Sequence, residues 1–324
     1  MAAEARDFSY IPMISVAGLG RGDAAATDRV VAEIGAACET AGFFYVVDHG
    51  VLHDAIDAIF VAARAFFALP QAMRDAIDVH SSRNFRGDVP MGFKGSGVSL
   101  RQLEALKIML DLGPDDPDVK AGSVMHGPNV WPSDGPDFSS AAFRAALERY
   151  QDAVWRLSER LLGAFALALG QERDYFRGDF RKPLTQLRVL HYPPQRPEEE
   201  AQGVEAHTDP GAFTILLQDS VGGLEARNRA GQWIPAPPVA HSFVINIGDM
   251  MQRWTNGRFV STPHRVANRT GRDRISAPFF VNPGYDATIA PALGGAARAE
   301  PLYEPLACGP YIEAAYRAAW PHAG

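Results

Sequence analysis

The segment HTDPGAFTILLQD, His207–Asp219, decides how this chain reads. It sets a His and an Asp two residues apart, then a Pro-Gly turn, then an apolar run rich in strand-forming residues. On a strand, positions two apart share a face, so the spacing predicts that His207 and Asp209 point together. His264 follows 55 residues after Asp209, room for several strands to go out and return. Two imidazoles and one carboxylate can hold a metal on one side and leave the other open, the donor set of non-heme Fe(II) oxygenases. Arg274 comes ten residues after His264, and Ser276 two further on. On a strand these also share a face, and a guanidinium beside a hydroxyl suits a carboxylate. A metal at one end and an anion clamp at the other would accommodate a five-carbon keto diacid.

The surrounding texture fits a β unit. Short apolar stretches at 186–192, 212–218, 223–226, 233–234, 242–247, 258–260 and 274–281 are separated by turn signals, with Asn228–Gly231 as a hairpin turn. Upstream, helical spacing predicts helices over 28–41, 54–69 and 138–170, with a strand at 43–47 and another over 105–112. The Gly-rich stretch 84–100 reads as a long loop, and 311–320 as a closing helix. The expected fold is mainly β with flanking α: one catalytic domain over 1–324, a mixed α/β region (1–180), a β core (181–290) and a closing segment (291–324).

The 324 residues are 47% hydrophobic, which is enough for a sizeable packed core. The net charge of -7 argues against a nucleic-acid coat, and Asp273 interrupts the one Arg-rich stretch, 258–274. Cys38 and Cys308 are too few for a disulfide framework and read as buried thiols. Met1–Asp7 shows no apolar signal region, and the uncharged run 230–248 carries three prolines in its first half. A cytoplasmic, soluble protein is expected, a monomer or weak homo-oligomer with no nucleic-acid or membrane partner.

Four segments carry a family resemblance: LRVLHYPP (Leu187–Pro194), HTDPGAFTILLQD, NIGDMMQRWTNGRFVSTPHRV (Asn246–Val266) and RISAPFFVNP (Arg274–Pro283). With IPMISVAGL (Ile11–Leu19), ACETAGFFYVVDHGV (Ala37–Val51), FFALP (Phe66–Pro70) and HGPNVWP (His126–Pro132), nearly the whole chain resembles the isopenicillin-N-synthase-like 2-oxoglutarate- and Fe(II)-dependent dioxygenases. The resemblance implies a double-stranded β-helix, or jelly-roll, core braced by N-terminal helices. It implies Fe(II) on His207, Asp209 and His264, with 2-oxoglutarate held by Arg274, Ser276 and Tyr192. Leu190 stands where plant members carry an Asn, so that polar contact is absent and the pocket is more apolar. The implied chemistry consumes O2 and 2-oxoglutarate, releases succinate and CO2, and oxidises an unactivated C–H bond of a small molecule. The retained Asp209 argues against halogenation.

Substrate contacts are expected from Arg188, Leu190, Phe85, Met91, Phe93 and Phe280. Arg188 shares the strand face of Tyr192 and could meet a substrate carboxylate. Three alternatives stand beside the hydroxylase: an oxidase of the same fold that uses no 2-oxoglutarate, an ethylene-forming enzyme, and a catalytically silent binding protein.

Overall fold

The computed structural model describes residues 7–20, 22–91, 93–95, 98–100, 103–194, 203–291 and 300–319. The chain opens with β1 (Met13–Ser15) and α1 (Ala24–Thr40), whose Asp23 cap accepts a hydrogen bond from Ala26 N. Val30, Ile34 and Cys38 form the buried stripe of α1. Gly42, at positive φ, turns the chain into β2 (Phe43–Val47). Helices α2 (His53–Phe67) and α3 (Gln71–Asp75) follow. The stretch read as a long loop holds three short strands, β3 (Gly87–Val89), β4 (Phe93–Gly95) and β5 (Val98–Leu100). Its Gly and polar content hid them, because hydrophobic alternation needs a longer run than three residues to show. Next come β6 (Glu104–Met109), α4 (Pro117–Lys120) and the long α5 (Ser140–Ala168), capped by Ser139.

The second half supplies β7 (Gln186–Tyr192), β8 (Val204–His207), β9 (Phe213–Gln218), β10 (Leu224–Arg227), β11 (Trp233–Pro235) and β12 (Phe243–Ile247). Helix α6 (Asp249–Trp254) precedes β13 (His264–Val266) and β14 (Arg274–Val281). The chain closes with β15 (Thr288–Ile289), β16 (Leu306–Ala307) and α7 (Cys308–Ala319). The strand expected at 258–260 is absent: Arg258 N and Val260 N instead bond the carbonyls of Thr255 and Cys38 in a turn after α6.

Two sheets face each other in a jelly roll. The larger runs β1-β2-β12-β9-β14-β7-β6-β3, the smaller β11-β10-β13-β8. Along β9, Thr214 and Leu216 look into the cavity between the sheets. Phe213, of opposite parity, meets Phe165 of α5 edge-on. Helices α1 and α2 pack against α5, so the helical layer covers the outer face of the larger sheet. Among the described residues no helix is long and apolar enough to cross a membrane. Cys38 and Cys308 are both free and buried.

Candidate active site

His207 ends β8, and Asp209 lies just past it, in the turn before β9. The expectation that one strand carries both is therefore corrected: β8 ends at His207, and Asp209 sits two residues on, outside the ladder. Backbone bonds hold that turn, with Asp249 N to Asp209 O at 2.8 Å and Met250 N to Gly211 O at 3.0 Å. His264 opens β13, paired directly opposite His207. Asp209 Oδ1 lies 3.6 Å from His207 Nε2 and 3.8 Å from His264 Nε2. All three ligand atoms fall within 4.8 Å of one another.

Each member is turned by a second contact. His207 Nδ1 donates to Glu205 O at 2.8 Å and His264 Nδ1 to Thr262 O at 3.2 Å, which leaves both Nε2 lone pairs facing Asp209. Asp209 Oδ2 accepts from Thr214 Oγ1 at 2.5 Å and Asn246 Nδ2 at 2.7 Å, freeing Oδ1. Burial alone would raise the Asp209 pKa, but the two imidazoles and these two bonds hold it below its ordinary value. Burial, then His207, pushes His264 down to about 4. A carboxylate and an uncharged imidazole are the protonation states that ligate a cation. The donor set fits Fe(II).

At the far end, Arg274 is fully buried. Its Nε donates to Gly222 O at 2.6 Å and its Nη1 to Ser276 Oγ at 3.0 Å, while the guanidinium sits 4.5 Å over the Tyr192 ring. Arg274 Nη2 is buried with no hydrogen-bond partner. A buried guanidinium nitrogen left unpaired is costly unless an anion completes it, so this end fits a carboxylate.

Triad and clamp line one cavity of about 320 Å³, with Arg188, Leu190 and Phe280. Two other expected contacts lie elsewhere. Phe85 is buried behind Tyr316, ring centroids 5.6 Å apart, and Met91 is half exposed. The side chain of Phe93 lies outside the described residues. Sequence reading missed Thr214 and Asn246, which orient Asp209. The one trace was a polar Thr at an inward position of the apolar run FTILLQ. It also missed Ile312, which α7 adds to the wall beside Tyr316, a residue of the closing helix that sequence reading offers as a closure of the pocket mouth.

Two family models match the chain: the 2OG-Fe(II) oxygenase superfamily over residues 184–283, and the N-terminal region of a non-haem dioxygenase in morphine synthesis over residues 11–134. The 2-oxoglutarate-Fe(II) type oxidoreductase hxnY of Emericella nidulans is 34% identical over 305 residues, covering 91% of this chain and 86% of the relative. A full-length Neurospora crassa protein, crystallised with alpha-KG and thymine, superposes with TM-score 0.84 at 26% identity, over 96% of this chain and 97% of that one. JOX2 in complex with 2OG, Fe and JA superposes with TM-score 0.77 at 32% identity, over 97% and 87%.

Proposed function

The chain belongs to the 2OG-Fe(II) oxygenase superfamily, and from that premise we propose that it hydroxylates an unactivated C–H bond of a small organic molecule while 2-oxoglutarate becomes succinate and CO2. It is an Fe(II)- and 2-oxoglutarate-dependent dioxygenase; the residue roles that follow are our reading. His207, Asp209 and His264 would hold the iron, Arg274 and Ser276 the distal carboxylate of 2-oxoglutarate. The bound metal, with 2-oxoglutarate and O2, supplies the oxidising power. What carries this reading is the convergence of His207 Nε2, Asp209 Oδ1 and His264 Nε2, each with its other polar atom tied back into the protein.

The chain's own residues position the reactants and keep water out. Arg274 offers its unpaired Nη2 to the cosubstrate, backed by the Tyr192 ring. Leu190, Leu216, Leu224, Val266 and Ile312 give the cavity an apolar stretch of wall. A dry wall strengthens the charge contacts inside it and limits side reactions with water. The cavity lies at the small end of ligand sites and must hold cosubstrate and substrate together, which supports a small substrate. We read 1–324 as one catalytic domain. We further place the protein in the cytoplasm as a monomer or weak homo-oligomer without nucleic-acid or membrane partners; the two unbridged buried thiols support a reducing compartment.

Anaerobic addition of 2-oxoglutarate to the Fe(II)-loaded protein should produce a visible metal-to-ligand charge-transfer band, and aerobic turnover should release succinate. Oxygen consumed with product but without succinate would mean an oxidase, and ethylene release the ethylene-forming reaction.

A further inference from the structure

A second guanidinium faces the same cavity. Arg188 stands on β7 four residues before Tyr192, which pairs directly with Arg274. Four residues of strand span about 14 Å. That backbone spacing is about twice the reach of the four C–C bonds of 2-oxoglutarate, about 1.5 Å each, so Arg188 is a second cationic position beside the Arg274 clamp. The contacts of Arg188 are neutral. Its Nε donates to Gln186 Oε1 at 2.6 Å, its guanidinium lies 4.8 Å over the Phe280 ring, and the buried Tyr316 lines the cavity beside it. No carboxylate pairs with Arg188 among the described residues. Lys107, fully buried on β6, stands directly across from it, so two basic side chains share one rung of the sheet. Burial, with Arg188 beside it, holds the Lys107 pKa well below the ordinary lysine range, so Arg188 is the cation this rung presents to the cavity.

Resting on the iron and 2-oxoglutarate reading above, we propose that the primary substrate is a small organic acid, its carboxylate on Arg188 and its apolar body against Leu190, Leu216 and Ile312, pointing toward the metal triad. Arg188 is then the specificity-determining residue, with Gln186 and Phe280 holding its guanidinium in place.

The test uses the Fe(II)-loaded full chain under anaerobic, saturating 2-oxoglutarate. Phenylacetate, cyclohexylacetate and trans-cinnamate are titrated calorimetrically beside their primary amides. At least one acid should bind about ten-fold or more tighter than its amide. That preference should vanish in Arg188→Leu and survive in part in Arg188→Lys. Acids binding no tighter than amides, with no binding at all included, overturn the proposal, as does an acid preference kept in Arg188→Leu. The acid–amide comparison on the wild-type protein stands even if the variants fail to fold. The charge-transfer band separates the two levels: its absence sinks the iron reading and this inference with it, whereas a band without acid preference sinks this inference alone.

Discussion

In the proposed iron site, Thr214 and Asn246 occupy one oxygen of Asp209 and leave the other free. Thr214→Val should therefore weaken Fe(II) binding about ten-fold while Asp209→Ala abolishes it, read as metal stoichiometry and affinity in anaerobic titrations. Equal iron affinity in Thr214→Val would show that the hydroxyl does not position the ligand. Arg274→Ala removes a charge-assisted partner commonly worth about 1.5–3 kcal/mol, so the 2-oxoglutarate concentration for half-maximal succinate release should rise about ten- to a hundred-fold. A third residue lies away from the site. Asp88 is buried with neither carboxylate oxygen hydrogen-bonded, and burial pushes its pKa from 3.8 to about 7. The folded protein thus holds a proton that the unfolded chain gives up, so this contribution is complete below about pH 4 and is lost as pH rises toward 7. Asp88→Asn should flatten melting temperature between pH 4 and 8 and raise it at pH 8; an unchanged pH profile would remove Asp88 from the account. The proposed ligand and clamp residues stand out in the sequence because their chemistry is rare and their spacing ordered. Thr214, Asn246 and Asp88 do not, because an inward Thr, Asn or Asp looks in sequence like any other strand polar residue.

At the scale of elements, the metal turn rests on the start of α6. Gly248 is what lets them meet: a Cβ there would lie 2.3 Å from Gly211 O and 2.9 Å from Asp209 O. Gly248→Ala should push the Asp209 turn outward and reduce iron affinity by more than ten-fold, with a smaller fall in thermal stability. Metal titration and calorimetry on the same sample check the order of the two effects, and intact iron binding would show that the turn has slack. Long helices and well-alternating strands were readable from their periods, as at α5 and β14. The sequence reading missed α6 because six residues are too few for a helical stripe, and it took 258–260 for a strand because Phe259 and Val260 have strand character but no partner strand. The short β3, β4 and β5 were passed over for the same lack of length.

For the whole molecule, the larger sheet mixes both halves of the chain. Strands β1 and β2 extend one side beyond β12, and β6 and β3 extend the other beyond β7. The helical region is therefore built into the sheet that carries the clamp, and we expect full-length protein to melt in one calorimetric transition. Two resolved transitions, or a fragment 181–324 that binds iron, would contradict this. A β unit was legible from strand and turn rhythm, and its jelly-roll form from the family resemblance. Which N-terminal strands join its edges was not, because pairing between distant segments leaves no local trace. That mixing also governs birth on the ribosome. Val46 of β2 pairs with Phe243 of β12, about 200 residues later. At about 5–20 residues per second, roughly 10–40 s of synthesis separate the two. Through that interval FFYVV has no strand to lie against on the β12 side, so the nascent chain carries a sticky, unpaired ribbon that chaperones must shield until β12 emerges.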